Sequence, residues 1–281
     1  MKTGLVMEGG AMRGMFTCGV IDVLMENGVT FDGAGGISAG AVFGCNYKSR
    51  QIGRPIRYNK AYCRDPRYKS LRSLLMTGDL YGVDFCYREL PDALDVFDRK
   101  AFRENPMDFY VGATDVDTGE IAYHRCTDGG NLDMRWMRAS ASMPLVSRAV
   151  EIGGRRLLDG GVVAPTPYFY MKGLGYDRCV VILTQPKDYR KQKAKLLPLM
   201  RLLLRQYPKI AEAMALRHER YNVHIDGIRE EEKSGKCLIL CPPEALPVSR
   251  LENDPGKLEQ AYQMGRAEAE KQLPSIRLYV G

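Results

Sequence analysis

Histidine is scarce in this chain: His124, His218 and His224 are the only three in 281 residues, and there is a single tryptophan. Chemistry built on clustered imidazoles, common at zinc and acid–base centres, therefore has few residues to draw on. Long apolar runs are missing as well. The longest, "CVVILT" and "LLPLMRLLL", stop well short of the ~20 residues that cross a bilayer. "TGLVMEGGAMRG" breaks into charge and glycine before a signal-peptide apolar region can form. The expectation is a cytoplasmic protein, at most peripheral to the inner face of the membrane. C-x-x-C pairs are also missing, and the eight cysteines are scattered, which reads as reduced, buried thiols rather than a disulfide framework. His218, His224, Cys237 and Cys241 could be imagined as a zinc group, but "CLILC" reads as a strand with both thiols on one face. Neither a metal nor a cofactor is expected.

What is present fits an ordinary globular chain, with 45% apolar and 27% charged residues and no repeat or low-complexity tract. The length suits one large α/β domain or two modest ones. With no obvious linker, a single domain over residues 1–281 is favoured. The net charge of +7 is unevenly spread: nine Lys/Arg face one acid between Lys48 and Arg72, and seven face one acid between Lys187 and Arg205. Such stripes suit an anionic partner, either phospholipid head groups or nucleic acid, unless they are merely solvated faces.

Along the chain, "TGLVMEGGAMRGMFTCGVIDVLMENGV" reads as a strand, a glycine turn and a helix that stops at Gly28. "TFDGAGGIS" and "AGAVFGCNYKS" repeat that grammar, which predicts a mostly parallel sheet. Residues 51–98 are basic, tyrosine-rich and less regular, and read as a lid-like excursion over one edge of the site. Two strands follow around a turn at Asp117 to Gly119, then a helix ended by Pro144 and a hairpin with a Gly-Gly turn. "RCVVILTQP" has the character of a buried parallel strand. Residues 190–281 read as a helical extension interrupted by Pro198 and Pro208, with one further strand and a solvated last helix from about Pro255 to Gln272.

Gly36-Ile37-Ser38-Ala39-Gly40 fits G-x-S-x-G between an extended run and a small-residue helix, a context that lifts a serine hydroxyl into a cleft at a strand-to-helix turn. A serine nucleophile needs a base and donors for an oxyanion. Gly9-Gly10-Ala11-Met12-Arg13-Gly14, between the first strand and its helix, offers backbone N–H groups beside Ser38. The same turn has the outline of a dinucleotide site with Asp32 downstream, weakened by Ala11 at the middle glycine position. As base, a Ser…Asp…His order would nominate His218 or His224 after Asp159. Asp159 itself, at the Gly160-Gly161 turn, is the better candidate, acting directly on Ser38 from an apolar site that raises its pKa. Ser140 and Ser142 precede Pro144 on a helix end without a glycine elbow, so capping or packing explains them better. Arg13 either steadies the loop or meets an anionic head group.

In order and separation, "EGGAMRG", "GISAG", "ASASMP" and "DGG" resemble the four blocks of the patatin-like phospholipase family in its compact bacterial form, over residues 3–183. The resemblance implies a three-layer α/β/α fold with a central, mostly parallel sheet, and lipid acyl hydrolysis without a metal. It implies that Ser38 is the nucleophile, Asp159 its base, and the amides of Gly10, Ala11 and Met12 the oxyanion hole, supported by Gly9, Arg13, Gly14, Gly36, Gly40, Gly160 and Gly161. It implies a lipid or acyl-ester substrate, and with it a lipid surface rather than nucleic acid as partner. The family usually has a third glycine where this chain has Ala11, a residue that fits there only where φ is negative. A catalytically weak, anionic-lipid-binding module of the same fold is the alternative.

Overall fold

The computed structural model describes residues Met1–Gly281. In chain order it forms β1 (Lys2–Met7), α1 (Gly14–Glu26), β2 (Gly33–Ile37), α2 (Ala39–Lys48), α3 (Arg54–Tyr62) and α4 (Leu71–Thr77). A wide, π-wound segment (Phe85–Leu94) follows, then α5 (Arg99–Glu104), β3 (Asp108–Asp115), β4 (Ile121–Cys126), α6 (Asn131–Ala141), β5 (Val150–Ile152) and β6 (Arg155–Asp159). The remainder is α7 (Tyr168–Gly173), β7 (Tyr176–Ile182), α8 (Leu197–Leu203), α9 (Pro208–Lys233), β8 (Cys237–Leu240) and α10 (Pro255–Val280).

The inner strands β3, β2, β1, β7 and β8 pair in parallel, and β4, β5 and β6 add antiparallel partners at one side. Side chains alternate across this sheet as strand geometry requires. Leu5 and Met7 enter one core while Val6 enters the other, and Val180 and Ile182 oppose Val181 in the same way. Both faces must therefore be covered. α1, α2, α6 and α10 cover the first, with α7 and α9 on the second, giving the three-layer α/β/α arrangement. No helix is long and apolar enough to cross a membrane.

Three local expectations change. Residues 51–98 carry two short helices and the π-wound segment rather than irregular chain. Pro198 and Pro208 lie in the first turns of α8 and α9 instead of interrupting helices, because proline's missing N–H costs nothing there. α10 runs through Pro274 to Val280 and is a packed layer, not a solvated one: Leu258, Ala261, Ala269 and Ile276 are fully buried. It crosses α1 so closely that a Cβ on Gly19 would overlap the Tyr262 carbonyl, and one on Gly265 the Phe16 carbonyl.

One feature of β3 positions the site. β4 occupies one of its edges, pairing Thr114 with Ile121. The opposite edge is shared end to end, with Ile37 of β2 opposite Gly112 and Asp159 of β6 opposite Ala113. The last residue of β6 thus arrives where β2 gives out, one register position on.

Candidate active site

Ser38 follows Ile37 at the end of β2 with φ 54° and ψ −119°, a left-handed conformation that an L-residue holds only under constraint. The constraint is visible. The Ser38 N–H donates to Ser140 Oγ at 2.8 Å, and Ser140 Oγ donates to the Gly112 carbonyl at 2.6 Å, so α6 pins the turn to β3. Ser140 is thereby assigned a structural part, and Ser142 Oγ donates to the Arg138 carbonyl. A Cβ on Gly36 would overlap the Gly40 carbonyl, and one on Gly40 the Met7 carbonyl. The turn closes only with glycine at both places.

Asp159 ends β6 across β3 from that turn. Its Oδ2 accepts the Ser38 hydroxyl at 2.8 Å, over a sequence separation of 121, and its Oδ1 accepts the Gly161 N–H at 2.7 Å. Its backbone is tied to the Thr114 hydroxyl and to the Ser142 carbonyl. Burial pushes the carboxyl above the usual range. Arg217, the bonds from Ser38 and Gly161, and Arg250 oppose that rise without cancelling it.

The glycine turn lies against both residues. The N–H groups of Gly10 and Ala11 have no acceptor within the protein, whereas Met12 N–H reaches the Arg250 carbonyl at 3.4 Å. Ala11 sits at φ 49°, so the position does take the conformation for which glycine is suited, and alanine bears the strain. Gly9 donates to the Pro165 carbonyl, and Gly14 packs against Phe43 and Ala39. Gly160 lies against the Gly112 carbonyl. Arg13 is half-buried, with its Nε enclosed and unpartnered, so it is not a plain surface charge.

Other sequence candidates lie elsewhere. His224 bonds Thr166 at 2.8 Å and is pushed down to about 4 by burial, while His218 approaches Glu219. Neither touches Ser38 or Asp159. The imagined zinc group does not assemble: the ligand-type side chains that come within reach of one another are His124, Cys126 and Asp133 instead. Asp32 binds Thr3 at the N-terminal end of the sheet, the far end from Gly9, which removes it from any nucleotide role at the glycine turn. Most of the 48–72 basic stripe is spent internally: Lys48 on the Asn105 and Met107 carbonyls, Arg54 and Arg57 on Asp95, Lys60 on Glu259, Arg67 on Asp65.

Two cavities meet at Ser38, Ala11 and Met143. One holds about 1030 Å³ of space, partly open to solvent, and is lined largely by apolar groups such as Val42, Phe43, Leu90, Phe97, Met137 and Ala141. The other, about 1020 Å³ and also partly open, carries Arg13, Lys191, Arg217 and Arg250 around Asp159. The sequence alone does not mark the last three of these cations as site residues. Lys191 lies in a basic stripe, but nothing local to Arg217 or Arg250 singles them out.

Comparison with known proteins supplies the lineage. The profile described as "Patatin-like phospholipase" matches residues 5–171, and one described as "Domain of unknown function (DUF6363)" matches residues 207–281. "Lysophospholipase nte1" of Aspergillus oryzae is 26% identical over 291 aligned positions, 98% of this chain and 18% of its own length. "Uncharacterized NTE family protein Rv1063c" of Mycobacterium tuberculosis is 27% identical over 181 positions, 64% of this chain and 48% of its own. The chain thus spans less than half the length of either relative. Human GIVD cytosolic phospholipase A2, solved in complex with methyl gamma-linolenyl fluorophosphonate, has a similar fold, with a TM-score of 0.51 and 11% identity over 99% of this chain and 59% of that one. The profile match covers more than half of the chain and takes in both Ser38 and Asp159, so the chain belongs to the patatin-like phospholipase family.

Proposed function

We propose that the protein is a serine lipid acyl hydrolase working through a Ser38–Asp159 dyad. The observation that carries this reading is the 2.8 Å bond from Ser38 Oγ to a buried carboxylate whose pKa is raised, beside two unengaged backbone amides. Ser38 Oγ attacks the ester carbonyl carbon as its proton passes to Asp159 Oδ2. The carbonyl oxygen becomes an oxyanion held by the Gly10 and Ala11 N–H groups, with Met12 less available. Collapse expels the alcohol, which takes the proton from Asp159, and water then cleaves the acyl-serine with Asp159 again as base. The apolar cavity receives the acyl chain, in keeping with the name of the Aspergillus relative.

Contact with an anionic bilayer surface belongs to the same proposal. α8 exposes Leu199, Leu202 and Leu203 beside Arg201 and Arg205, and α4 exposes Leu71, Leu75 and Met76 beside Arg72. Apolar side chains next to positive charge suit an interfacial position. Co-sedimentation with vesicles is expected to rise with anionic lipid content and fall with salt, and binding indifferent to both would remove the surface idea.

A fluorophosphonate probe tests the chemistry. Labelling of the wild type, its loss in Ser38→Ala, and parallel loss of p-nitrophenyl ester turnover are expected. An unlabelled wild type that still binds anionic vesicles would replace the enzyme with the binding module.

A further inference from the structure

Three of the four cations of the basic cavity come from parts of the chain outside the elbow and the two glycine turns. Arg13 belongs to the glycine turn. Arg217 comes from α9, where its Nε donates to the Gly161 carbonyl at 2.6 Å, directly behind Asp159. Lys191 lies in the segment before α8, and its backbone is fastened to α9 by two bonds with Asn222. Its ammonium stands 4.2 Å from the centroid of the Tyr221 ring. Arg250 sits on the loop before α10. That loop is held over the glycine turn by the Met12 N–H and from its other side by Lys69, which donates to the Leu251 and Glu252 carbonyls.

Four cations held this way are poorly compensated. The carboxylates that act on Arg13, Lys191 and Arg217 are Asp159 and Glu8, and Glu8 is already engaged by Thr184 and Tyr221. With all four cations protonated and both carboxylates ionised, the positive charge is in excess by two. The consequences are visible in the side chains. Arg13 Nε is buried without a partner, and Lys191 is pushed down to about 7, first by burial and then by its neighbours Arg217 and Arg250. A protein that gathers like charges in a half-buried cavity pays in stability unless a ligand supplies the opposite charge.

We propose that Lys191, Arg217 and Arg250, together with Arg13, form a subsite for a phosphomonoester head group, so that the C-terminal third of the chain selects the polar end of the substrate. The inference rests on the serine-hydrolase reading. A dianionic phosphate matches the excess charge, and guanidinium forks suit its oxygens. A choline head group would place a cation among four others. Because the two cavities join at Ser38, an ester with its chain in the apolar one projects its head into the basic one.

Two measurements test this. The first is calorimetric titration of glycerol 3-phosphate into Ser38→Ala, alone and combined with Arg250→Gln or Lys191→Gln. Saturable binding is expected, weakened about ten-fold by either substitution, the usual effect of losing one charge-assisted bond. Arg250 is exposed on its loop, so its replacement does not threaten folding. The second compares kcat/KM for a 1-acylglycerol 3-phosphate with that for the monoacylglycerol of the same chain. The wild type is expected to favour the phosphate ester, and Arg250→Gln to reduce that ratio by about ten-fold. If these cations only tune Asp159, both substrates change alike and the ratio stays fixed, which overturns the proposal. Glycerol 3-phosphate binding with no substrate preference overturns it in favour of a free phosphate effector. Absence of both binding and preference also overturns it. Binding by a protein that turns over no ester would instead sink the hydrolase reading and leave the anion site standing.

Discussion

The two cavities that meet at Ser38 are opposite in character. The apolar one is walled by α2, the π-wound segment and α6, all within the stretch that matches the family profile. The basic one draws Arg217 and Arg250 from residues 207–281, where a domain of unknown function matches. The difference teaches that the family stretch supplies Ser38, Asp159 and the apolar wall, while the rest of the chain supplies three of the four cations of the other cavity, Lys191, Arg217 and Arg250. Asp159 stands beside the boundary between the two cavities: it bonds Ser38 and lines the basic cavity, with burial raising its pKa and Arg217 and Arg250 opposing the rise.

The comparison is broken most severely at that boundary. Asp159→Asn keeps an acceptor for the Ser38 hydroxyl but removes the base, and kcat on a short-chain p-nitrophenyl ester is expected to fall on the order of 10⁴-fold. His218→Ala and His224→Ala, assayed alongside, are expected to retain activity. Next in size is an obstruction of the apolar cavity. Ala141→Phe is expected to lower kcat/KM for long-chain esters by about 10- to 100-fold relative to short ones, because its ring takes the place of chain methylenes.

A smaller effect concerns stability. Asp159 binds its proton more tightly folded than unfolded, so its ionisation destabilises the native state as pH rises from the unfolded value of about 3.9 through the raised folded one. Asp159→Asn is therefore expected to be more stable than wild type at pH 7, with the gain gone at pH values below the unfolded pKa. Thermal melts across pH measure this, and the acid limb of the kcat profile should rise as Asp159 loses its proton. The smallest change is Ala11→Gly. Relief of the left-handed alanine, offset in part by glycine's greater unfolded entropy, should add about 0.5 kcal/mol by denaturant titration, with activity kept.

Several features were legible locally because a local geometric demand imposes them. Only glycine closes the turn at Gly36 and Gly40, so the G-x-S-x-G elbow advertises itself, and the strand–turn–helix repeat announces a parallel sheet. The irregular backbone of residues 190–196 and the start of α8 at Leu197 were not legible, since a basic, leucine-rich run reads as helix whether or not tertiary contacts hold it. The packed state of α10 was hidden for a related reason: its polar composition does not reveal that Gly19 and Gly265 let it lie against α1.

By itself, then, the sequence determined the elbow, the glycine turn, the second glycine turn at Asp159 and the mostly parallel sheet, all of them set by backbone sterics and short-range apolar periodicity. The tertiary structure decided that β2 and β6 share one edge of β3, which brings Asp159 within 2.8 Å of Ser38 and leaves the histidines elsewhere. It also decided that Arg13, Lys191, Arg217 and Arg250 face one cavity. Charge acts through space and carries no signature along the chain, so four cations spread from residue 13 to residue 250 become a site only once folding brings them together.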